Sequence, residues 1–109
     1  MTASDSAFDA AARAALEACL EAAESTDAFD VEIEGGVLTI VAPTGETWVL
    51  NKHAPTRQLW LSSPVSGASH YARDDASGAW RDTRGGPPLE RRFAEELGRS
   101  AGRKVELPA

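Results

Sequence analysis

Two groups of side chains in this sequence are placed to do chemistry. The first is a set of carboxylates. Residues 1–34 hold nine acids and one base, Arg13, a local balance of −8. The remaining residues hold eight acids and ten bases, a balance of +2, so the first third carries the acidity behind the net charge of −6. Oxygen ligands on a convex surface cannot enclose a cation. They hold divalent ions weakly, hydrated and at several places. The same field attracts basic protein surfaces and repels nucleic acid and anionic membrane. A charge run is ordinarily a solvated face; a nine-to-one sign bias over two consecutive elements weakens that reading, and on the residues alone a solvated face and a cation-attracting face stand about even.

The second group lies in Thr47–Gly67, T-W-V-L-N-K-H-A-P-T-R-Q-L-W-L-S-S-P-V-S-G. Two runs rich in β-branched, aromatic and leucine residues, Thr47–His53 and Arg57–Ser62, flank the turn signal Ala54-Pro55-Thr56. Strand side chains alternate faces. With Trp48 and Leu50 inward, Val49, Asn51 and His53 point outward. With Leu59 and Leu61 inward, Gln58, Trp60 and Ser62 point outward. A tryptophan sharing a face with amides and an imidazole suits recognition of another protein better than solvation. Trp48 and Trp80 belong to the core.

Other reactive residues carry less. His53 and His70 are the only histidines; both outward on a sheet, they are candidate nitrogen ligands, with ordinary surface residues as the simpler reading. Cys19 falls on an apolar helix stripe and reads as an inert core thiol. Ser62, Ser63 and Ser66 lack an acid–base partner and read as turn formers. No phosphate-binding glycine motif is present.

These residues must be positioned by a small set of elements. Residues 5–24 are rich in Ala and Leu without Gly or Pro, and Phe8, Ala12, Leu16, Cys19 and Ala23 form an apolar helical stripe. Ser4 or Asp5 is the candidate cap. Asp9, Arg13, Glu17, Glu21 and Glu24 make the polar stripe opposite, and Ser25-Thr26-Asp27 closes the helix. Phe29–Glu34 alternates apolar and acidic, a half-buried strand with Asp30, Glu32 and Glu34 outward. Gly35-Gly36 is a hairpin turn before the more apolar, more central Val37–Ala42. After Thr47–Ser62, Ser63–Ser69 reads as a turn, His70–Arg73 as a short strand and Ala79–Asp82 as the last. Gly85-Gly86-Pro87-Pro88 breaks the sheet. Leu89, Phe93, Leu97 and Ala101 stripe a second helix that Gly102 ends. Val105-Glu106-Leu107 fits a groove between the helices. Helix, meander, helix predicts an α+β two-layer sandwich: an antiparallel sheet of about six strands with both terminal helices on one face. The other face, bearing Trp60, stays in solvent.

The 109 residues suit a single domain, residues 1–109, able to bury a core without disulfides. One cysteine excludes a disulfide framework and fits a reducing compartment. No signal, transit or membrane-spanning pattern is visible, so the expected location is the cytoplasm.

The string N-K-H-A-P-T-R-Q-L-W-L-S-S-P at 51–64 resembles the frataxin family, as do V-L-T-I at 37–40 after E-I-E-G-G and W-R-D-T-R-G at 80–85. The likeness runs from about Asp5 to Leu107 and is to the bacterial form. It implies a non-enzymatic iron-binding accessory, or iron chaperone, that regulates iron–sulfur cluster assembly. Iron, as Fe2+ or Fe3+, is bound weakly on an acidic ridge that maps to Glu17, Glu21, Glu24, Asp27, Asp30 and Glu32. Contacts with the cysteine desulfurase and the scaffold protein are implied, with Asn51, Gln58 and Trp60 as the sheet-surface contacts. A monomer is expected, with an iron-dependent oligomer as the other state. Two departures stand out: alanines thin the ridge in the first helix, and His53 replaces a frequent Gln. The competing readings are ferroxidase or iron storage, and a metal-independent acidic adaptor.

Overall fold

A computed structural model describes residues 3–107, with side chains from Ser6 onward. The chain runs α1 (Ala3–Glu24), β1 (Asp30–Glu34), β2 (Val37–Val41), β3 (Thr47–His53), a 3-10 turn (Ala54–Thr56), β4 (Gln58–Ser63), β5 (Gly67–Arg73), β6 (Trp80–Asp82) and α2 (Leu89–Ala101). The six strands form one antiparallel sheet in chain order, β1-β2-β3-β4-β5-β6. The α+β two-layer architecture is as the alternation predicted.

The core lies between the sheet and the helices. Leu38, Ile40, Trp48, Leu50, Leu59, Leu61, Tyr71 and Trp80 supply the sheet's buried face. Ala12, Leu16, Cys19 and Ala23 of α1 and Leu89, Phe93 and Leu97 of α2 close over it. Full burial of each large aliphatic or aromatic chain contributes about 1.5–3 kcal/mol. Two edge-to-face pairs tie helix and loop to the sheet: Phe8 with Trp80 at 6.2 Å and Phe29 with Trp48 at 5.9 Å. Val105 is buried and Leu107 half-buried against the helices, so the tail does occupy the inter-helix groove.

Several boundaries differ from expectation. α1 already includes Ser4 and Asp5, so neither precedes it as a cap, and their side chains lie outside the described ones. β5 begins at Gly67 rather than His70, because Gly67, Ala68 and Ser69 pair with Ser63, Ser62 and Leu61. Asp9 does not stand on the solvent stripe; it turns toward the sheet and pairs with Lys52 Nζ at 2.8 Å. In β1, Val31 is half-buried but Ile33 is 41% exposed, since α1 does not cover that end of the edge strand.

Glu96 is the largest surprise. It sits on α2's buried face, only 8% exposed. Its Oε1 accepts hydrogen bonds from Trp48 Nε1 at 3.0 Å and Ser63 Oγ at 2.5 Å. Ser63 Oγ in turn accepts from the Val65 and Ser66 N–H groups at 2.9 and 3.0 Å. A second inward network joins Asp82 and Arg92, 3.5 Å apart, beside the Tyr71–Ser69 hydroxyl pair at 2.7 Å. No buried side-chain nitrogen or oxygen among the described residues is left without a partner.

Candidate functional site

The open face of the sheet is built by two turns. His53 leaves β3 in an extended conformation, Pro55 sets the 3-10 turn, and Arg57 closes it with φ 54° and a bond from its N–H to the Ala54 carbonyl at 3.1 Å. That turn fixes His53 opposite Gln58 and Asn51 opposite Trp60. At the other end Ser63 gathers the Pro64–Ser66 turn, and the register places Trp60 opposite His70. Side-chain parity then puts Asn51, His53, Gln58, Trp60 and His70 on one face.

Three of these rings stack. The His53 and Trp60 centroids lie 3.7 Å apart with planes 10° apart. Trp60 and His70 lie 4.3 Å apart with planes 12° apart. The indole is therefore covered on both faces, once by β3 and once by β5. Its Nε1–H donates to Gln58 Oε1 at 2.9 Å, and His53 Nδ1 shares a 2.8 Å hydrogen bond with Thr56 Oγ1. Trp60 is half-buried as a result and presents an edge, not a face, to solvent. The indole is fixed in place, the condition under which an aromatic anchor loses least entropy on docking. The two imidazoles lie on opposite sides of the indole and so cannot share one metal ion.

The carboxylates form a different kind of surface. Glu17, Glu21, Glu24, Asp27, Asp30 and Glu32 are all exposed. Among the described residues none of the six has an ion-pair or side-chain hydrogen-bond partner, in contrast to Asp9, Asp74 and Asp82. The helical repeat spreads Glu17, Glu21 and Glu24 over about 60° of α1's outer side. Asp27 sits in the left-handed region, φ 56°, where the chain turns from α1 toward β1. Asp30 and Glu32 line the edge strand. Among the described residues no three His, Cys, Asp or Glu side chains converge into a metal-holding group. The six carboxylates form a diffuse anionic field rather than a coordination centre.

The remaining candidates are structural. Burial pushes the Cys19 thiol far above its ordinary range, with the nearby Glu90 charge adding to the effect, so it stays a protonated core group. Ser63 is a turn former, and also the link to Glu96. Parity placed Trp60 and His53 on the open face but not the stacking of the indole between two imidazoles, which depends on registers that a single strand does not encode.

Comparison with known proteins places this architecture. The family model described as a frataxin-like domain matches residues 1–103. The mitochondrial frataxin of Dictyostelium discoideum is 40% identical over 78 residues, 72% of this chain and 40% of that protein. The iron-sulfur cluster assembly protein CyaY of Pseudomonas aeruginosa is 38% identical over 80 residues, 73% of each chain. The chain spans about 40% of the length of the first mitochondrial relatives it matches. Frataxin from Psychromonas ingrahamii superposes with a TM-score of 0.84 over 96% of this chain and 98% of that one; at 22% identity, this concerns the fold alone. Trimeric Saccharomyces cerevisiae frataxin complexed with ferrous iron superposes with a TM-score of 0.60 at 35% identity, covering 68% of this chain and 64% of that one. The chain belongs to the frataxin family.

Proposed function

We propose that this frataxin-family chain is a non-enzymatic accessory protein of iron–sulfur cluster assembly. It meets the assembly machinery with two surfaces. The open sheet face, with Asn51, Gln58 and the clamped Trp60, contacts the scaffold protein. The acidic surface, with Glu17, Glu21, Glu24, Asp27, Asp30 and Glu32, attracts basic protein surface on the cysteine desulfurase and holds iron weakly. Iron is cargo or signal in this reading, and the protein changes the rate at which others build the cluster.

The observation that carries the reading is Trp60 held between His53 and His70 on a face that neither helix covers. The stack stabilises the sheet locally, and it also holds a large amphipathic ring ready on an open face, as a docking anchor requires. The unpartnered carboxylates support the second surface, because a field without internal counterions acts on external ones. The ferrous-complexed yeast relative supports iron as the cation.

The test is the rate of cluster formation by cysteine desulfurase and scaffold, with and without this protein, across a range of iron(II). A rate that changes with added protein, and with iron, supports the reading. No change at any iron level rejects it. Trp60→Ala with its fold intact is expected to lose the effect; an undiminished effect would remove the sheet face from the proposal.

A further inference from the structure

We propose that β1 is an acceptor edge for an incoming strand, and that the strand it accepts is an extended partner segment alternating Lys or Arg with aliphatic residues. The proposal rests on the reading that the acidic surface meets a basic protein, and it adds how the two backbones join.

β1 is the first strand in the sheet order and pairs with β2 alone. Gly35 and Gly36 both have positive φ, 58° and 80°, giving a two-residue turn whose flanking pair is Glu34 and Val37. In such a hairpin the flanking pair exchanges hydrogen bonds, and alternate pairs along the ladder do not. The N–H and C=O groups of Glu34, Glu32 and Asp30 therefore face β2, and those of Ile33 and Val31 face away from it. Among the described residues no group from outside the hairpin bonds to them.

The side chains on either side of that edge specify the visitor. On the open face Asp30, Glu32 and Glu34 are all exposed, three carboxylates at every second position. On the helix side Ile33, 41% exposed, opens onto a cleft of about 470 Å³ also lined by Leu16, Arg13, Gly35, Gly36 and Lys52. Ile33 and Val65 are the only large hydrophobics so exposed among the described residues. A strand added to β1 sets its own alternate side chains opposite these two rows. Cations then meet the carboxylates, and aliphatic groups cover Ile33.

A second copy does not fit. In any register that keeps face parity, β1 against β1 sets carboxylate opposite carboxylate, which destabilises a strand pair. Acidic edges are also a standard guard against self-pairing. The edge is thus closed to its own kind and open to a basic strand.

The experiment uses the full chain and a seven-residue capped peptide alternating lysine and valine, with a same-composition peptide in blocks as control. Binding and amide hydrogen exchange are measured at low salt. The expected result is tighter binding of the alternating peptide, with slowed exchange at the Val31 and Ile33 amides. Val31→Pro removes an outward N–H without touching the β2 ladder, since proline is tolerated at edge positions. It is expected to weaken binding about three- to tenfold, the worth of one net hydrogen bond. Ile33→Ser, which keeps the backbone, provides a second variant should the proline disturb the fold; it is expected to weaken the alternating peptide more than the block peptide. Equal binding of both peptides, with no protection at Val31 and Ile33, overturns strand addition while leaving the acidic surface as an electrostatic docking site. Binding of neither peptide overturns both.

Discussion

Glu96 on α2 and Trp48 on β3 are 48 residues apart in sequence and joined by a 3.0 Å hydrogen bond inside the core, with Ser63 donating to the same carboxylate oxygen. Removing the acceptor leaves two buried donors, and each unsatisfied donor costs about 1–3 kcal/mol. Glu96→Ala should therefore lower unfolding free energy by about 2–4 kcal/mol in urea titration. Glu96→Gln, which keeps an acceptor oxygen, should cost clearly less. Equal losses would mean that packing, not hydrogen bonding, sets the effect.

Gly86 stands against the Asp82–Arg92 ion pair, whose side chains are 6% and 17% exposed. A Cβ at position 86 would lie 2.6 Å from Asp82 Oδ2 and 2.7 Å from Arg92 Nη2. Gly86→Ala must displace the tips of both side chains, which weakens the pair without removing either charge. The Arg92 tip can relax toward solvent, so a loss of about 1 kcal/mol is expected, read as a lowered Tm.

The ring stack on the open face has a separable energy. An aromatic pair contributes about 0.5–1.5 kcal/mol beyond area burial. His53→Ala and His70→Ala should each cost roughly that much and leave the fold intact. The indole has a neighbour on each side, so removing one imidazole frees it to tilt. A double-variant cycle should give less than additive losses, whereas strict additivity would show that the two contacts do not share one indole position.

Asp74 gives a pH dependence with a definite sign. The Arg81 guanidinium, bonded at 2.7 Å, holds the Asp74 carboxyl below its usual range, with the Ala76 N–H and Ser77 hydroxyl adding to the effect. A carboxyl depressed in the folded state stabilises above its unfolded pKa, and the contribution is lost as pH falls through the folded one. Urea midpoints followed from about pH 6 to about pH 3 should fall, and Asp74→Asn should flatten part of that fall. The Asp74 side chain is only partly buried, at the surface beside Arg81, so solvent screens the pair and the effect is small. An Asn variant with an unchanged slope would assign the acid sensitivity elsewhere.

Cys19 offers a probe of opening. Its thiol is buried and its pKa is raised, so a thiolate-seeking aromatic disulfide should not label the native protein. Labelling should follow the global unfolding rate and accelerate with denaturant. Rapid labelling in native buffer would reveal local opening between α1 and the sheet.

Much of this was written in the pattern of residues. Alternation around Leu50 and Leu61 located Trp48 inside and Trp60 outside, and the turns at Gly35-Gly36, Ala54-Pro55-Thr56 and Ser63–Ser69 marked their strand junctions. What escaped has a common physical cause: partners across strands depend on register, and register is set by turn geometry. His70 reads as an isolated surface residue until the Ser63-capped turn shifts β5's start to Gly67. Ile33 reads as half-buried until β1 proves to be an edge that α1 leaves uncovered. Glu96 was open to view at one step: three residues after Phe93, it falls on α2's apolar stripe. A charged residue on that stripe calls for buried donors, and the indole of Trp48 is one.

The sheet order matches the chain order, so every strand's partner is its neighbour in sequence. During synthesis each hairpin can close as soon as it leaves the ribosome, without waiting for a distant segment. The two helices break that pattern, α1 by reaching Lys52 and Trp80, and α2, arriving last, by bringing the acceptor oxygen for two donors on strands already made. Completion of the molecule is thus coupled to a single late carboxylate. Until Glu96 is made, the Trp48 indole and the Ser63 hydroxyl lack their shared acceptor.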